Sequence, residues 1–149
     1  MEIIKKDLEG VLVIKPSVFE DDRGYFFESF RQDKYNFTNK KFVQHNISKS
    51  RKNVIRGLHY QAGAFAQGKL CQVLFGAALD ITVDIRFNSP TFGKHFPVVL
   101  SEENKLQLWI PPGFAHGFAA LSDDVVSIIS VQNISAESMK DVSSIMILL

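Results

Sequence analysis

Short apolar runs recur along the chain, and clusters of Gly, Pro, Asn, Ser and Asp separate them. Runs of this length bounded by turn residues predict β-strands, and no helical periodicity is sustained. Residues 31–38 fit at most one short helical turn. The predicted strands cover 3–4, 11–14, 25–30, 42–47, 54–61, 69–75, 78–86, 92–100, 106–110 and 125–131. The pattern favours an all-β fold, an antiparallel jelly roll or β-barrel, in a single domain over residues 1–149.

Composition and charge narrow the classes of protein that fit this pattern. The 17 basic and 16 acidic side chains nearly balance, so nothing points to nucleic acid or a membrane surface as a partner. The single cysteine, Cys71, excludes an internal disulfide and fits a reducing compartment. No apolar run approaches the length of about 20 residues that a spanning helix needs. The amino terminus lacks the apolar core of a signal peptide, so we expect a soluble cytoplasmic protein.

The predicted strand at 54–61 carries a cation and an imidazole close together. Regular alternation predicts Arg56 on one face and His59 on the other, with Gly57 letting another group approach the backbone. Such a pair suits the binding of an anion beside a base, although a lone strand histidine is more often a hydrogen-bonded structural residue. A hairpin between residues 61 and 69 would bring Lys69 near His59, where a lysine stabilises a developing oxyanion.

Metal binding is not expected from the histidines. The four, at positions 45, 59, 95 and 116, contain no His-x-His pair, and a single cysteine cannot form a thiolate cluster. Two carboxylates stand in apolar surroundings and have two interpretations each. Glu28 lies either between the rings of Phe26 and Phe30 or in solvent, and Asp84 is either a site residue or the structural partner of Arg86.

Several motifs in order along the chain resemble one enzyme family. They cover residues 22–30, 42–46, 56–61, 67–69, 83–86, 89–93 and 113–118. Together they resemble the dTDP-4-dehydrorhamnose 3,5-epimerases, from about residue 10 to residue 122. The resemblance implies a cupin jelly roll that works without metal or cofactor, as a homodimer that exchanges N-terminal strands. The N-terminal apolar pieces also lack an obvious partner within so short a chain.

The resemblance also implies a substrate and roles for particular residues. The substrate would be dTDP-4-keto-6-deoxy-glucose, epimerised at the carbons beside its ketone on the route to dTDP-L-rhamnose. His59 matches the catalytic base, and Lys69 matches the lysine that stabilises the enolate oxygen. The positions that match residues holding the nucleotide, diphosphate or sugar are Arg23, Phe26, Glu28, Gln44, Asn46, Arg56 and His116.

The chain departs from the family pattern at about residues 125–149. The family's tyrosine, thought to be the acid, is absent from residues 130–135, and the aspartate that orients the catalytic histidine belongs to a later segment. A frameshift near residue 125 and genuine divergence are both open explanations. We expect residues 125–149 to pack poorly. The alternative function is a catalytically impaired sugar-nucleotide-binding remnant.

Overall fold

The structure is a computed structural model that describes residues 1–5, 7–38 and 40–134. Its strands are β1 Glu2–Lys5, β2 Leu12–Lys15, β3 Val18–Asp21, β4 Gly24–Phe27, β5 Gln44–Arg51, β6 Ile55–His59, β7 Lys69–Phe75, β8 Ala77–Asp84, β9 His95–Ser101, β10 Gln107–Ile110, β11 Phe114–Ala120 and β12 Asp124–Val131. Two single 3₁₀ turns, Gln32–Lys34 and Gly63–Phe65, are the helices of this part of the chain. Neither is long and apolar enough to cross a membrane. The all-β prediction is confirmed.

Two antiparallel sheets form the body of the fold. One has six strands in the order β1-β2-β10-β7-β12-β5, and the other has four in the order β6-β11-β8-β9. The short strands β3 and β4 pair only with each other, as a separate hairpin. The predicted helical turn within 31–38 is present as Gln32–Lys34.

The core lies between the two large sheets. Strand β8 shows how sequence alternation builds it, because Ala78, Asp80, Thr82 and Asp84 are buried while the residues between them are partly exposed. A residue at every second position faces inward along a strand, so one face of β8 lines the interior. The apolar core itself is formed by side chains from both sheets, among them Val13, Val73, Leu108, Phe118 and Val125.

Two expectations about the ends of the chain fail where the structure describes the residues concerned, at 125–134 and at the amino terminus. Strand β12 is well packed, since it lies between β7 and β5 and Val125 and Val131 are almost fully buried. Burial requires only apolar side chains at inward positions, and β12 keeps them although it lacks the family's motif. Residues 135–149 lie outside the described residues. The first N-terminal piece also has a partner within the chain, because β1 pairs with β2 and β2 pairs with β10.

Candidate active site

A bulge in the four-stranded sheet brings Arg56 and His59 to the same face. His59 lies opposite His116 and Arg56 lies opposite Phe118, so two residues of β6 oppose one residue of β11. The extra residue shifts the alternation by one position. The prediction that Arg56 and His59 point to opposite faces is therefore wrong. In the structure both lie on the face that carries His116 and the core residue Phe118.

Two glycines let the strands approach at this bulge. A Cβ atom at Gly57 would lie 2.6 Å from the Cα of Gly117 and 2.9 Å from the carbonyl oxygen of His116. Gly57 also has φ +123°, a conformation that side chains disfavour. The absence of a side chain at this position thus sets the distance between β6 and β11 beside both histidines.

The six-stranded sheet contributes a second row of polar side chains. Val131 of β12 pairs with Gln44 of β5 on one side and with Lys69 of β7 on the other. Ile129, two residues earlier, pairs with Asn46 of β5. Residues opposite one another share a face, so Gln44, Asn46 and Lys69 lie on the face that carries the buried Val131. The amide of Gln44 donates to the Asn46 side-chain oxygen at 2.8 Å.

Hydrogen bonds and charges connect the two rows. The Lys69 ammonium donates to the His59 carbonyl oxygen at 3.2 Å, although β6 and β7 belong to different sheets. The predicted proximity of the two residues is confirmed, but between strands of two different sheets instead of within a hairpin. Arg56 also crosses between the sheets, because its Nε donates to the Ser50 hydroxyl of β5 at 2.8 Å.

The surroundings of His59 favour a neutral imidazole. Burial lowers the pKa of His59 below its ordinary value of 6.5, and the positive charge of Lys69, then His116 and Arg56, lower it further. A neutral ring is the form that accepts a proton. Burial also lowers the pKa of Lys69, against the opposing influence of Cys71 and Asp80. The site thus pairs a neutral base with a desolvated ammonium group.

His116 is held by a residue that the sequence reasoning missed. Its Nε2 lies 2.8 Å from Oδ2 of Asp80, and both side chains are almost fully buried. Asp80 follows Leu79 and precedes Ile81. A carboxylate at an inward position of an apolar strand was the available signal, because a buried charge needs a partner.

Of the two interpretations of Asp84, the structure agrees with the one that makes it the structural partner of Arg86. It is fully buried and bonds Arg86 at 2.8 Å, together with the hydroxyls of Ser89 and Thr91 at 2.6 Å each. The guanidinium of Arg86, with the two hydroxyls, holds the pKa of Asp84 far below its ordinary value.

The other three predicted site residues lie on or beside the β3–β4 hairpin, away from this cluster. Arg23 is highly exposed and pairs with Asp21 at 2.6 Å, and Phe26 is 72% exposed. Glu28 follows the end of β4 and pairs with Lys34 at 2.8 Å. The predicted strand therefore ends before Glu28, and of the two interpretations of this residue the solvent-exposed one agrees with the structure. Within the described chain, no hydrogen bond or ion pair joins these three to the His59 cluster.

A family model and individual relatives both match this chain. The family model for dTDP-4-dehydrorhamnose 3,5-epimerase matches residues 5–144. The dTDP-4-dehydrorhamnose 3,5-epimerase of Escherichia coli K12 is 53% identical over 126 residues, which cover 83% of this chain and 68% of that protein. The chain belongs to the dTDP-4-dehydrorhamnose 3,5-epimerase family.

Solved structures of the epimerase family share the fold. The dTDP-6-deoxy-D-glucose-3,5-epimerase of Legionella pneumophila Philadelphia 1, in complex with dTDP-4-keto-L-rhamnose, is 42% identical with a TM-score of 0.92, over 98% of this chain and 77% of that one. The Bacillus anthracis dTDP-4-dehydrorhamnose 3,5-epimerase, with TDP and PPi bound, is 37% identical with a TM-score of 0.87, over 91% of this chain and 79% of that one. The expected jelly roll and the assignment to the carbohydrate epimerases are confirmed.

Proposed function

We propose that this chain epimerises dTDP-4-keto-6-deoxy-glucose at the carbons beside its ketone, as a step in dTDP-L-rhamnose biosynthesis. The observation that carries the proposal is the position of Lys69 beside His59, with the Lys69 ammonium 3.2 Å from the main-chain carbonyl oxygen of His59. Removing a proton beside a ketone needs a base for the proton and a cation for the enolate oxygen, and these two side chains supply both.

In this mechanism His59 accepts the proton from the carbon next to the ketone. The electrons of the broken C–H bond form an enolate, and the Lys69 ammonium stabilises its oxygen. A proton returned to the opposite face of the same carbon completes the inversion. On the inner face of β12, Ile129 and Val131 have no transferable proton, and the hydroxyl of Ser127 is already hydrogen-bonded to that of Ser48 at 3.0 Å. We therefore infer that the returning proton comes from outside β12.

The remaining candidate residues suit the rest of the substrate. Arg56 is exposed on the same face as His59, and its guanidinium is a group that binds a diphosphate oxygen pair well. His116, Gln44 and Asn46 provide further hydrogen-bonding groups around it. We infer a cytoplasmic location as well, which stays a prediction.

We also propose a homodimer in which the β3–β4 hairpin reaches the partner's site. Phe19, Tyr25 and Phe26 are 68%, 54% and 72% exposed on this hairpin, and it pairs with neither large sheet. Exposed aromatic side chains in a cluster are typical of a protein interface. A second copy would cover them and would bring Arg23, Phe26 and Glu28 to a site that they do not reach within their own chain.

Hydrogen exchange tests the proposed chemistry most directly. We expect the protein to convert dTDP-4-keto-6-deoxy-glucose in D₂O, with deuterium entering at C3 and C5 as followed by NMR. His59→Ala should abolish the exchange, and Lys69→Met should slow it by about 10²–10³-fold. His95→Ala, at an exposed histidine, is the matched control. Tight dTDP binding without any exchange would contradict the proposal and favour the impaired remnant, which the comparisons do not support.

Mixing two inactive variants tests the dimer separately. Chains carrying His59→Ala and chains carrying Arg23→Ala should each be poorly active alone. If the hairpin serves the partner, co-expressed mixtures contain one intact site in each mixed dimer, which restores about a quarter of the wild-type activity. No recovery would contradict the exchange of hairpins, and a monomer in sedimentation would contradict the dimer itself.

A further inference from the structure

Three potential metal ligands meet in the interior behind the proposed active site. They are the sulfur of Cys71 on β7, the carboxylate of Asp80 on β8 and the imidazole of His116 on β11. Their ligand atoms all lie within 4.8 Å of one another, and all three residues are buried. The ligands come from both sheets, so the cluster spans the core.

The distances suit a small tetrahedral cation. Nε2 of His116 lies 3.7 Å from Sγ of Cys71 and 2.8 Å from Oδ2 of Asp80. Zinc bonds of about 2.0–2.3 Å at tetrahedral angles place nitrogen about 3.5 Å from sulfur and about 3.3 Å from oxygen. The first separation nearly fits already, and the second has to open by roughly half an ångström. Both atoms face the same ring nitrogen, which is where a cation would bind.

A second observation also points to a ligand. Asp80 is 3% exposed, and its other oxygen, Oδ1, is buried with no hydrogen-bond partner among the described residues. A buried carboxylate oxygen without a partner carries a desolvation cost that a cation would offset. A cavity of about 10 Å³, lined by Cys71 and Asp80 among mainly apolar residues, lies beside it. A thiolate and a carboxylate together neutralise a divalent charge.

We propose that Cys71, Asp80 and His116 form a binding site for a zinc-class divalent cation. The mixed sulfur, nitrogen and oxygen set favours zinc or cobalt over magnesium and calcium, which prefer oxygen ligands alone. Binding requires the thiol proton to leave to solvent, so the affinity rises with pH. The cation takes the place of the hydrogen bond between His116 and Asp80. A bound cation should also withdraw His116 from the substrate and inhibit epimerisation. This effect on activity rests on the proposed function.

Cobalt is the sharpest probe because Cys71 is the only cysteine in the sequence. Any thiolate-to-cobalt charge-transfer band in the near ultraviolet must therefore come from Cys71. We expect chelator-treated full-length protein to develop this band on titration with Co²⁺, to saturate at about one equivalent, and to lose it when Zn²⁺ is added. A folded protein that binds Co²⁺ without the band would overturn the site.

Two variants and a control complete the test. Cys71→Ala should abolish the band and weaken zinc binding at least tenfold, and Asp80→Asn should weaken binding while circular dichroism verifies the fold. His95→Ala removes an exposed histidine and should leave the band unchanged. Zinc should inhibit epimerisation by the wild type but not by Cys71→Ala, when each protein is compared with its own activity in the absence of metal. Equal zinc affinity in Cys71→Ala would overturn the site, and a cobalt band without inhibition would overturn only the link to activity.

Discussion

Replacing Gly57 by alanine should disturb both the stability of the protein and the geometry of its site. The added Cβ would meet the Cα of Gly117 at 2.6 Å, a distance that real Cβ atoms essentially never show. The neighbour is backbone, so the strands themselves have to move apart. The φ of +123° adds a second penalty for any side chain at this position.

The two penalties can be separated in magnitude. An unfavourable φ costs about 1–3 kcal/mol. Overpacking against the backbone of β11 adds about 1–3 kcal/mol. Gly24→Ala is the matched control, since Gly24 has φ +128° and nothing within 4 Å of an added Cβ. Gly93→Ala, at φ +77° and also in open space, is a second control outside the hairpin.

Thermal unfolding and solvent exchange measure the outcome. The melting temperature should fall by roughly 5–20 °C in Gly57→Ala, at about 2–4 °C per kcal/mol for a chain of this size. In Gly24→Ala and Gly93→Ala the melting temperature should fall less, by the part that the unfavourable φ causes. Proton exchange into the substrate should slow by about 10²-fold even below the melting transition, because His59 and His116 separate as the strands move. If Gly57→Ala destabilises no more than Gly24→Ala, the close approach of β6 and β11 does not require a glycine.

Three further outcomes follow from the same structure. At pH 7, Asp84→Asn should lower the unfolding free energy by about 2–3 kcal/mol; this loss is smaller than that for a fully buried ion pair, because the guanidinium of Arg86 is partly exposed. The native pKa of Asp84 is depressed, so the stability difference between wild type and variant is present above pH 3.8 and shrinks as the pH falls below that value, as acid unfolding would measure. The rate of substrate exchange should rise with pH through a pKa below 6.5, which belongs to His59, and Lys69→Met should move that limb upward by removing a positive charge. Ser50→Ala should raise KM about 2–10-fold with kcat nearly unchanged, because Arg56 loses one hydrogen bond.

The strands were largely readable from the sequence because each one is a local pattern. The strand predicted at 69–75 has the observed bounds, Lys69–Phe75. The strand predicted at 42–47 begins at Gln44 and continues to Arg51, through residues that resemble a turn. Pairing with β12 along its whole length stabilises this extension. Propensity at positions 50 and 51 gives no sign of that partner.

The arrangement of the site was less readable, because it depends on pairs of strands. The bulge at Gly57 requires Gly117 on another strand, and no alternation within residues 54–61 reveals it. Asp80 was not predicted as a site residue for a similar reason. Its importance comes from His116, which is 36 residues away in sequence and 2.8 Å away in space. The assignment of residues to the site therefore came from the family resemblance more than from periodicity.

Because His59 and Lys69 stand on different sheets, the core between those sheets acts as the spacer that sets their separation. Packed sheets are held about 10 Å apart by the side chains between them. A change of side-chain volume at a core position such as Val73 or Leu108 is then also a change in the distance between the proposed base and the proposed cation. Evolution or engineering can thus tune the rate of this enzyme from its interior, without altering any residue that meets the substrate.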